Sequence, residues 1–113
     1  MKKILKGLIV SLTIAIALVY NTPVLAADLA EGAKIFQAQC AGCHPNGGNI
    51  IRRGKNLKLR ALKRNKVDSI ESIADLVTNG KNNMSAYGDR LSQIEIENVS
   101  NYVLKMAENN WRK

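Results

Sequence analysis

The chain is poor in the residues that usually bind metals and in the patterns typical of β structure. Its 113 residues include two cysteines and one histidine. A four-ligand zinc site would need a second Cys or His pair, and the sequence has none. It also lacks strand-like alternation, internal repeats and low-complexity tracts, so a βαβ unit of the thioredoxin type is not indicated. These absences leave an all-α chain whose chemistry must come from very few residues.

The scarce cysteines and histidine all fall in one motif, Cys40-Ala41-Gly42-Cys43-His44. Cys-x-x-Cys-His is the attachment signature of c-type haem. Two thiols one helical turn apart can add to the two vinyl groups of a porphyrin, and the adjacent imidazole can ligate the iron. The motif therefore predicts one covalent haem c, held by Cys40 and Cys43, with His44 as the proximal iron ligand. A redox-active thiol pair, half of a zinc site and a plain disulfide are the alternatives, and a disulfide would leave His44 unexplained.

The N-terminal residues 1–26 have the pattern of a secretory signal peptide. Three lysines precede an uncharged run from Leu8 to Val19, and Ala26 ends an acceptable cleavage site. Cleavage would leave residues 27–113 as one small domain. The alternative is an uncleaved membrane anchor, although the run is shorter than the ~20 residues that span a bilayer. Export agrees with the motif, because covalent haem c is assembled on the outer side of an energy-transducing membrane.

The positive charge of residues 27–113 is concentrated in one stretch. Fourteen Lys and Arg oppose nine Asp and Glu there, and residues 52–66 contain no acid. A nucleic-acid patch is disfavoured, because no aromatic residues interleave with these cations. A solvated face that aids solubility is one interpretation. The preferred prediction is a docking surface for an acidic partner, with rates that fall as salt rises. We call this stretch the basic segment, and its cations are Arg52, Arg53, Lys55, Lys58, Arg60, Lys63, Arg64 and Lys66.

Helical spacing and capping residues predict three to four helices and no strands. The first helix is expected over residues 29–39, and a short one near residues 57–62. Another is expected to begin after Ser69 and to end at Gly80. The last is expected to begin after Ser92, with Glu95 completing a capping box. Its apolar stripe is predicted to consist of Ile94, Val99, Tyr102, Val103 and Met106.

A second axial ligand to the iron cannot be histidine, because His44 is the only one. A methionine thioether is the common alternative, and it favours ferrous iron. Met84 lies in a polar loop, where an apolar side chain is unexpected and therefore indicates a functional role. Met106 falls on a helical stripe, where methionine usually fills the core. We therefore predict Met84 as the distal ligand, and a sixth site left open or water-bound is the alternative.

These residues resemble those of the class I cytochromes c, and most closely cytochrome c6 of cyanobacteria and algae. The similarity covers nearly all of residues 27–113. It includes the start at residues 27–30, Phe36 before the haem motif, the run 77–81 before the methionine loop, and the run 102–104 late in the last helix. The resemblance implies a class I cytochrome c fold around one covalent haem. It assigns haem attachment and iron ligation to Cys40, Cys43, His44 and Met84.

The same resemblance implies a position for the terminal helices and a function. Gly32 and Phe36 would meet Tyr102 where the first and last helices cross. The protein would be a soluble, monomeric one-electron carrier in the thylakoid lumen or the periplasm, not an enzyme. Its donor would be the cytochrome b6f complex through cytochrome f, and its acceptor photosystem I or a terminal oxidase. The alternative is an exported haem protein with an open sixth site that binds or senses a small ligand.

Two departures from the family pattern bear on the properties of the iron. The family usually has Met-Pro-Ala-Phe-Gly in the ligand loop, whereas this chain has Met84-Ser85-Ala86-Tyr87-Gly88. The family also typically has a glutamine beside the haem where this chain has Leu76. Because an amide donor there would stabilise the added electron, we predict a reduction potential below that of an ordinary cytochrome c6. The chain looks like a divergent paralogue.

Overall fold

A computed structural model describes residues 27–113. The predicted signal peptide, residues 1–26, and its cleavage site lie outside the described residues. Helix α1 spans Leu29–Ile35 and continues as a π-helical turn, Phe36–Cys40. Helices α2, α3 and α4 span Leu59–Arg64, Ile70–Asn79 and Gln93–Glu108. Short 3-10 turns lie at Pro45–Gly47 and Arg53–Lys55. The all-α prediction is confirmed for residues 27–113.

No helix in the described part of the chain is long and apolar enough to cross a membrane. Extended pairing between residues 27 and 113 is limited to one isolated bridge between Lys81 and Met84.

The starts of α3 and α4 and the end of α3 lie where the capping residues predicted them, whereas the short helix expected near residues 57–62 spans Leu59–Arg64 without a side-chain cap. Asp28 accepts a hydrogen bond from the Glu31 amide at the start of α1. Ser69 caps α3, and Gly80, with φ of 69°, ends it. Ser92 caps α4, and the Glu95 carboxylate accepts from the Ser92 N–H at 3.0 Å. Such reciprocal bonds satisfy amide groups that a helix start leaves without partners.

The first helix differs from the prediction in its last turn. The Ala41 N–H donates to the Phe36 carbonyl at 2.9 Å, a spacing of five residues instead of four. A π turn of this kind is rare and often lies at functional sites. Apolar spacing cannot reveal it, because the same residues also fit an ordinary helix.

The predicted apolar stripe of α4 was wrong at Ile94, whose side chain is 71% exposed. Ile96 is buried in its place, with Val99 and Val103 following at helical spacing. At about 100° per residue, Ile94 lies about 200° around the helix from Ile96, on the solvent side. Met106 is partly buried and packs against the core, as predicted.

The terminal helices cross at a glycine, which confirms the predicted contact. A Cβ atom added to Gly32 would lie against the Asn98 carbonyl oxygen and 2.9 Å from Tyr102 Cβ. The Asp28 N–H donates to the Asn98 Oδ1 at 3.0 Å, next to the same crossing. One turn along, the Phe36 ring lies 5.5 Å from that of Tyr102. The backbones of α1 and α4 are therefore in direct contact.

Trp111 closes the core on the far side of Phe36. Their ring centroids are 5.1 Å apart, and Trp111 meets Tyr102 edge-on at 6.2 Å. The indole Nε1–H donates to the Leu57 carbonyl at 2.9 Å. The indole also covers Gly47. The φ of 78° at Gly47 favours glycine, and a side chain there would collide with the ring. Aromatic pairs at these separations add about 0.5–1.5 kcal/mol each beyond their buried area.

Replacing Gly32 with alanine is expected to destabilise the protein by about 2 kcal/mol. Overpacking destabilises a protein by up to about 3 kcal/mol, and the added methyl group here would press on a fixed backbone. Alanine has a better helix propensity than glycine, which offsets about 1 kcal/mol of that loss. Chemical unfolding of the holoprotein measures the change. Gly54→Ala is the matched control, because a Cβ there meets nothing within 4 Å. Equal stabilities of the two variants would contradict the close crossing.

Candidate haem site

A cavity of about 510 Å³ lies between the end of α1, helix α3 and the loop that follows α3. Cavities that bind small molecules commonly have volumes in this range. Its lining is mainly apolar and includes core side chains such as Phe36, Val77 and Val99. All four predicted site residues line it, namely Cys40, Cys43, His44 and Met84. Met106 is not among the lining residues.

The cysteines and the histidine lie in one tight turn after the π-helical segment. The amide groups of Cys43 and His44 both donate to the Cys40 carbonyl, at 3.2 and 3.0 Å. The two cysteines are not joined to each other. Burial raises the pKa of the Cys40 thiol to about 11, because its apolar surroundings disfavour a thiolate. The same surroundings suit a neutral thioether sulfur.

The His44 ring is oriented by a backbone carbonyl that the sequence analysis did not identify. His44 Nδ1 lies 2.8 Å from the Gly48 oxygen. Because a carbonyl only accepts, Nδ1 carries the proton in this pair, and the lone pair of the neutral imidazole is on Nε2. Metal-bound histidines usually donate their other ring nitrogen in this way. The only feature of the sequence that could have indicated this contact is the turn Pro45–Gly47, because it returns the chain toward His44.

That turn is itself fixed from two sides. The Leu57 N–H donates to the Gly47 carbonyl at 2.7 Å, and the Trp111 ring lies on Gly47. The Ile50 N–H donates back to the Cys43 carbonyl at 3.0 Å. The segment that bears His44 is therefore tied to the aromatic core.

Met84 is half-buried in a loop that is anchored on the end of α3. Lys81 and Met84 exchange two backbone hydrogen bonds, at 2.9 and 3.0 Å, which close the loop on itself. The next anchors are the Tyr87 N–H, which donates to the Val77 carbonyl, and the Gly88 N–H, which donates to that of Thr78. Gly80 is required at the start of the loop, because a Cβ there would meet the Met84 carbonyl at 2.6 Å.

Tyr87 is a second residue that the sequence analysis did not assign to the site. Its side chain lines the cavity, and its hydroxyl donates to the Gln39 carbonyl at 3.0 Å. The Arg90 guanidinium lies over its ring, 4.2 Å from the centroid. The sequence signal was the tyrosine itself, which stands where the resembled family has phenylalanine.

A family profile described as "Cytochrome C oxidase, cbb3-type, subunit III" matches residues 27–103. A "Cytochrome c6-like" protein of Nostoc sp. is 52% identical over 99% of this chain and 100% of its own length. The chain belongs to the cytochrome c6 family. A cytochrome c6 of Synechococcus sp. is 50% identical over 80% of this chain and 81% of its own length.

Solved structures of cytochrome c6 variants share the fold. Cytochrome c6C from Synechococcus sp. is 63% identical, with a TM-score of 0.68, over 70% of this chain and 96% of its own length. Cytochrome c6A from Arabidopsis thaliana is 32% identical, with a TM-score of 0.74, over 79% of this chain and 99% of its own length. As a cytochrome c6 family protein, the chain has covalently bound haem c as its cofactor.

The cavity fits the cofactor of the cytochrome c6 family. It brings together two sulfurs that can form thioethers, an imidazole whose Nε2 is free to bind a metal, and one methionine thioether. Each is a donor of the kind that haem c uses. The apolar walls suit a large flat macrocycle and exclude water from it.

Leu76 also lines the cavity, as expected for the position where the cytochrome c6 family typically has glutamine. We expect Leu76→Gln to raise the reduction potential by about 40 mV. One hydrogen bond is worth about 1 kcal/mol net, and about 59 mV corresponds to tenfold for one electron. Redox titration of the holoprotein measures the shift. Leu76→Met keeps the wall apolar and serves as the control; an unchanged or lower potential in Leu76→Gln would contradict the argument.

Proposed function

We propose that this protein is a one-electron carrier whose haem is attached through Cys40 and Cys43 and ligated by His44 and Met84. Residues 27–113 would form the haem domain after removal of residues 1–26. The observation that carries the proposal is that these four side chains line one apolar cavity, with His44 oriented by the Gly48 carbonyl. Electron transfer at this site needs no catalytic acid, base or nucleophile.

The haem iron supplies one reversible change of oxidation state, and the chain's residues tune and protect that change. The His44–Gly48 bond fixes the imidazole in one orientation, so that little rearrangement accompanies the change in charge. A methionine sulfur at Met84 favours the ferrous state. The apolar lining from α3 and α4 keeps water away from the iron.

The basic segment supports docking to an acidic protein. All eight of its cations are exposed. The single ion pair found across residues 27–113 joins Lys34 to Glu31 instead. Arg52 and Lys55 also line the cavity, so the positive surface reaches its opening. Positive charge around an opening steers an acidic partner to it and raises association rates.

The backbone of the basic segment is held by asparagine side chains. Asn49 Oδ1 accepts from the amide groups of Ile51 and Arg52, at 2.9 and 2.8 Å. Asn56 Nδ2 donates to the Arg53 carbonyl at 2.8 Å, and Asn65 Nδ2 donates to the Gly54 carbonyl at 3.2 Å. The charged side chains therefore project from an ordered frame.

Family membership and this charge support a proposal for the partners. We propose cytochrome f of the cytochrome b6f complex as the donor, and photosystem I or a terminal oxidase as the acceptor. The compartment would be the thylakoid lumen or the periplasm.

The ligation is tested with Met84→Leu and the matched control Met106→Leu. Both changes nearly conserve side-chain volume, which usually costs less than about 1.5 kcal/mol. The ferric wild-type protein is expected to show the methionine-to-iron charge-transfer band in the near infrared. Met84→Leu is expected to lose this band, and Met106→Leu to keep it. A haem-loaded wild type with a high-spin spectrum and no band would favour the alternative function, small-ligand binding at an open iron.

The docking surface is tested with the double variant Arg52→Gln/Arg53→Gln, against Arg112→Gln/Lys113→Gln as control. Both remove two adjacent exposed cations, but only the first pair belongs to the basic segment. Electron transfer to photosystem I, followed after a flash, is expected to slow about threefold at low salt, a modest part of the range for electrostatic steering. The difference is expected to vanish near 1 M salt, where the screening length is about 3 Å. Equal rates for the two variants at low salt would contradict docking through this surface.

A further inference from the structure

The carbonyl of Gln39 is left without its usual helical partners by the turn that follows it. In a continuing α-helix the amide of Cys43 would donate to it, and in a continuing π-helix the amide of His44 would. Here both donate to the Cys40 carbonyl instead. Gln39 is exposed, so either water or a side-chain donor can satisfy this carbonyl. The Tyr87 hydroxyl donates to it at 3.0 Å, across 48 residues of sequence.

Tyr87 is held so that its hydroxyl stays at this position. Its N–H donates to the Val77 carbonyl at 2.8 Å, and its own carbonyl accepts from the amide groups of Arg90 and Leu91, both at 2.9 Å. The Arg90 guanidinium lies over the ring, and its Nη2 donates to the Ala86 carbonyl at 3.2 Å. Backbone and ring are therefore fixed together.

Apart from the backbone bonds of Tyr87 and Gly88 to the end of α3 and the packing of Met84 itself, the loop that bears Met84 has few contacts that would hold it against the cavity. The side chains of residues 81–83, 85 and 86 are exposed. The Lys81–Met84 bridge closes the loop only on itself. In the described part of the chain, the Ser85 N–H donates no hydrogen bond. The hydroxyl of Tyr87 joins the end of this loop to Gln39, the residue before Cys40, by a hydrogen bond.

We propose that Tyr87 is a positioning residue for Met84: its hydroxyl bond to Gln39 keeps the methionine loop closed against the haem and so strengthens the Met84–iron bond. This inference rests on the proposed ligation by Met84. Tyr87 ends the loop that carries Met84, so a loop opening that displaces Tyr87 would break its bond to Gln39, and the bond then opposes a ligand that competes with Met84 for the iron.

The test is imidazole binding to the ferric holoprotein, followed by loss of the methionine-to-iron band. Tyr87→Phe keeps the ring and its contact with Arg90 but removes the hydroxyl. We expect imidazole to bind about fivefold more tightly, equivalent to the loss of one hydrogen bond of about 1 kcal/mol. Tyr102→Phe is the matched control. Tyr102 is also half-buried and in an aromatic contact, its hydroxyl makes no hydrogen bond within residues 27–113, and it does not line the cavity.

Ser85→Pro provides a second variant that acts in the opposite direction. Proline restricts the chain without removing a hydrogen bond at this position, because it limits the conformations open to the released loop. Ser85→Pro alone is expected to weaken imidazole binding, and in the Tyr87→Phe background it is expected to restore part of the lost resistance to imidazole. A merely structural role for the hydroxyl would change unfolding without changing imidazole affinity.

The outcomes separate this inference from the proposed function. Absence of the band from the wild-type protein would overturn ligation by Met84, and with it the positioning role. A wild-type band together with less than a twofold change in imidazole affinity in Tyr87→Phe would overturn the positioning role alone. An equal change in Tyr102→Phe would do the same.

Discussion

The backbone of α1 rests on the backbone of α4 at Gly32, and the site is built outward from that contact. Because Gly32 has no side chain, the helices approach until it meets the Asn98 carbonyl, and Asp28 adds a hydrogen bond to the Asn98 side chain. One turn later Phe36 enters the space between Tyr102 and Trp111. The π-helical turn and the cysteines follow directly. The crossing therefore sets where the two cysteines that we propose bind haem lie relative to the core.

Trp111 connects this aromatic core to the segment on the other side of the cavity. Its ring is in the core, its Nε1–H holds the Leu57 carbonyl, and its face covers Gly47. Gly47 belongs to the turn that brings the Gly48 carbonyl to His44. Packing in the aromatic core thus helps to fix which nitrogen of the His44 imidazole is free to bind a metal. Structural and chemical roles are not separable at this position.

The sequence predicted the features that depend on local chemistry. The helix ends at Ser69, Gly80 and Ser92 followed from capping, and Cys-x-x-Cys-His indicated the cofactor because few other roles need that spacing. The features that were missed depend on segments distant in sequence. The Tyr87–Gln39 bond spans 48 residues, and the direction of Ile94 depends on which side of α4 the core occupies. The π turn has no apolar pattern of its own.

The asparagine-held frame of the basic segment has a consequence for how long a docked complex lasts. Fixing the backbone of a flexible residue costs about 1–2 kcal/mol of conformational entropy. Asn49, Asn56 and Asn65 have already ordered this backbone in the free protein. An encounter therefore orders mainly long, solvated side chains, whose pairings with acids are individually weak. If this surface docks an acidic partner, the ordered frame would lower the cost of capture, and the weak individual pairings would allow release.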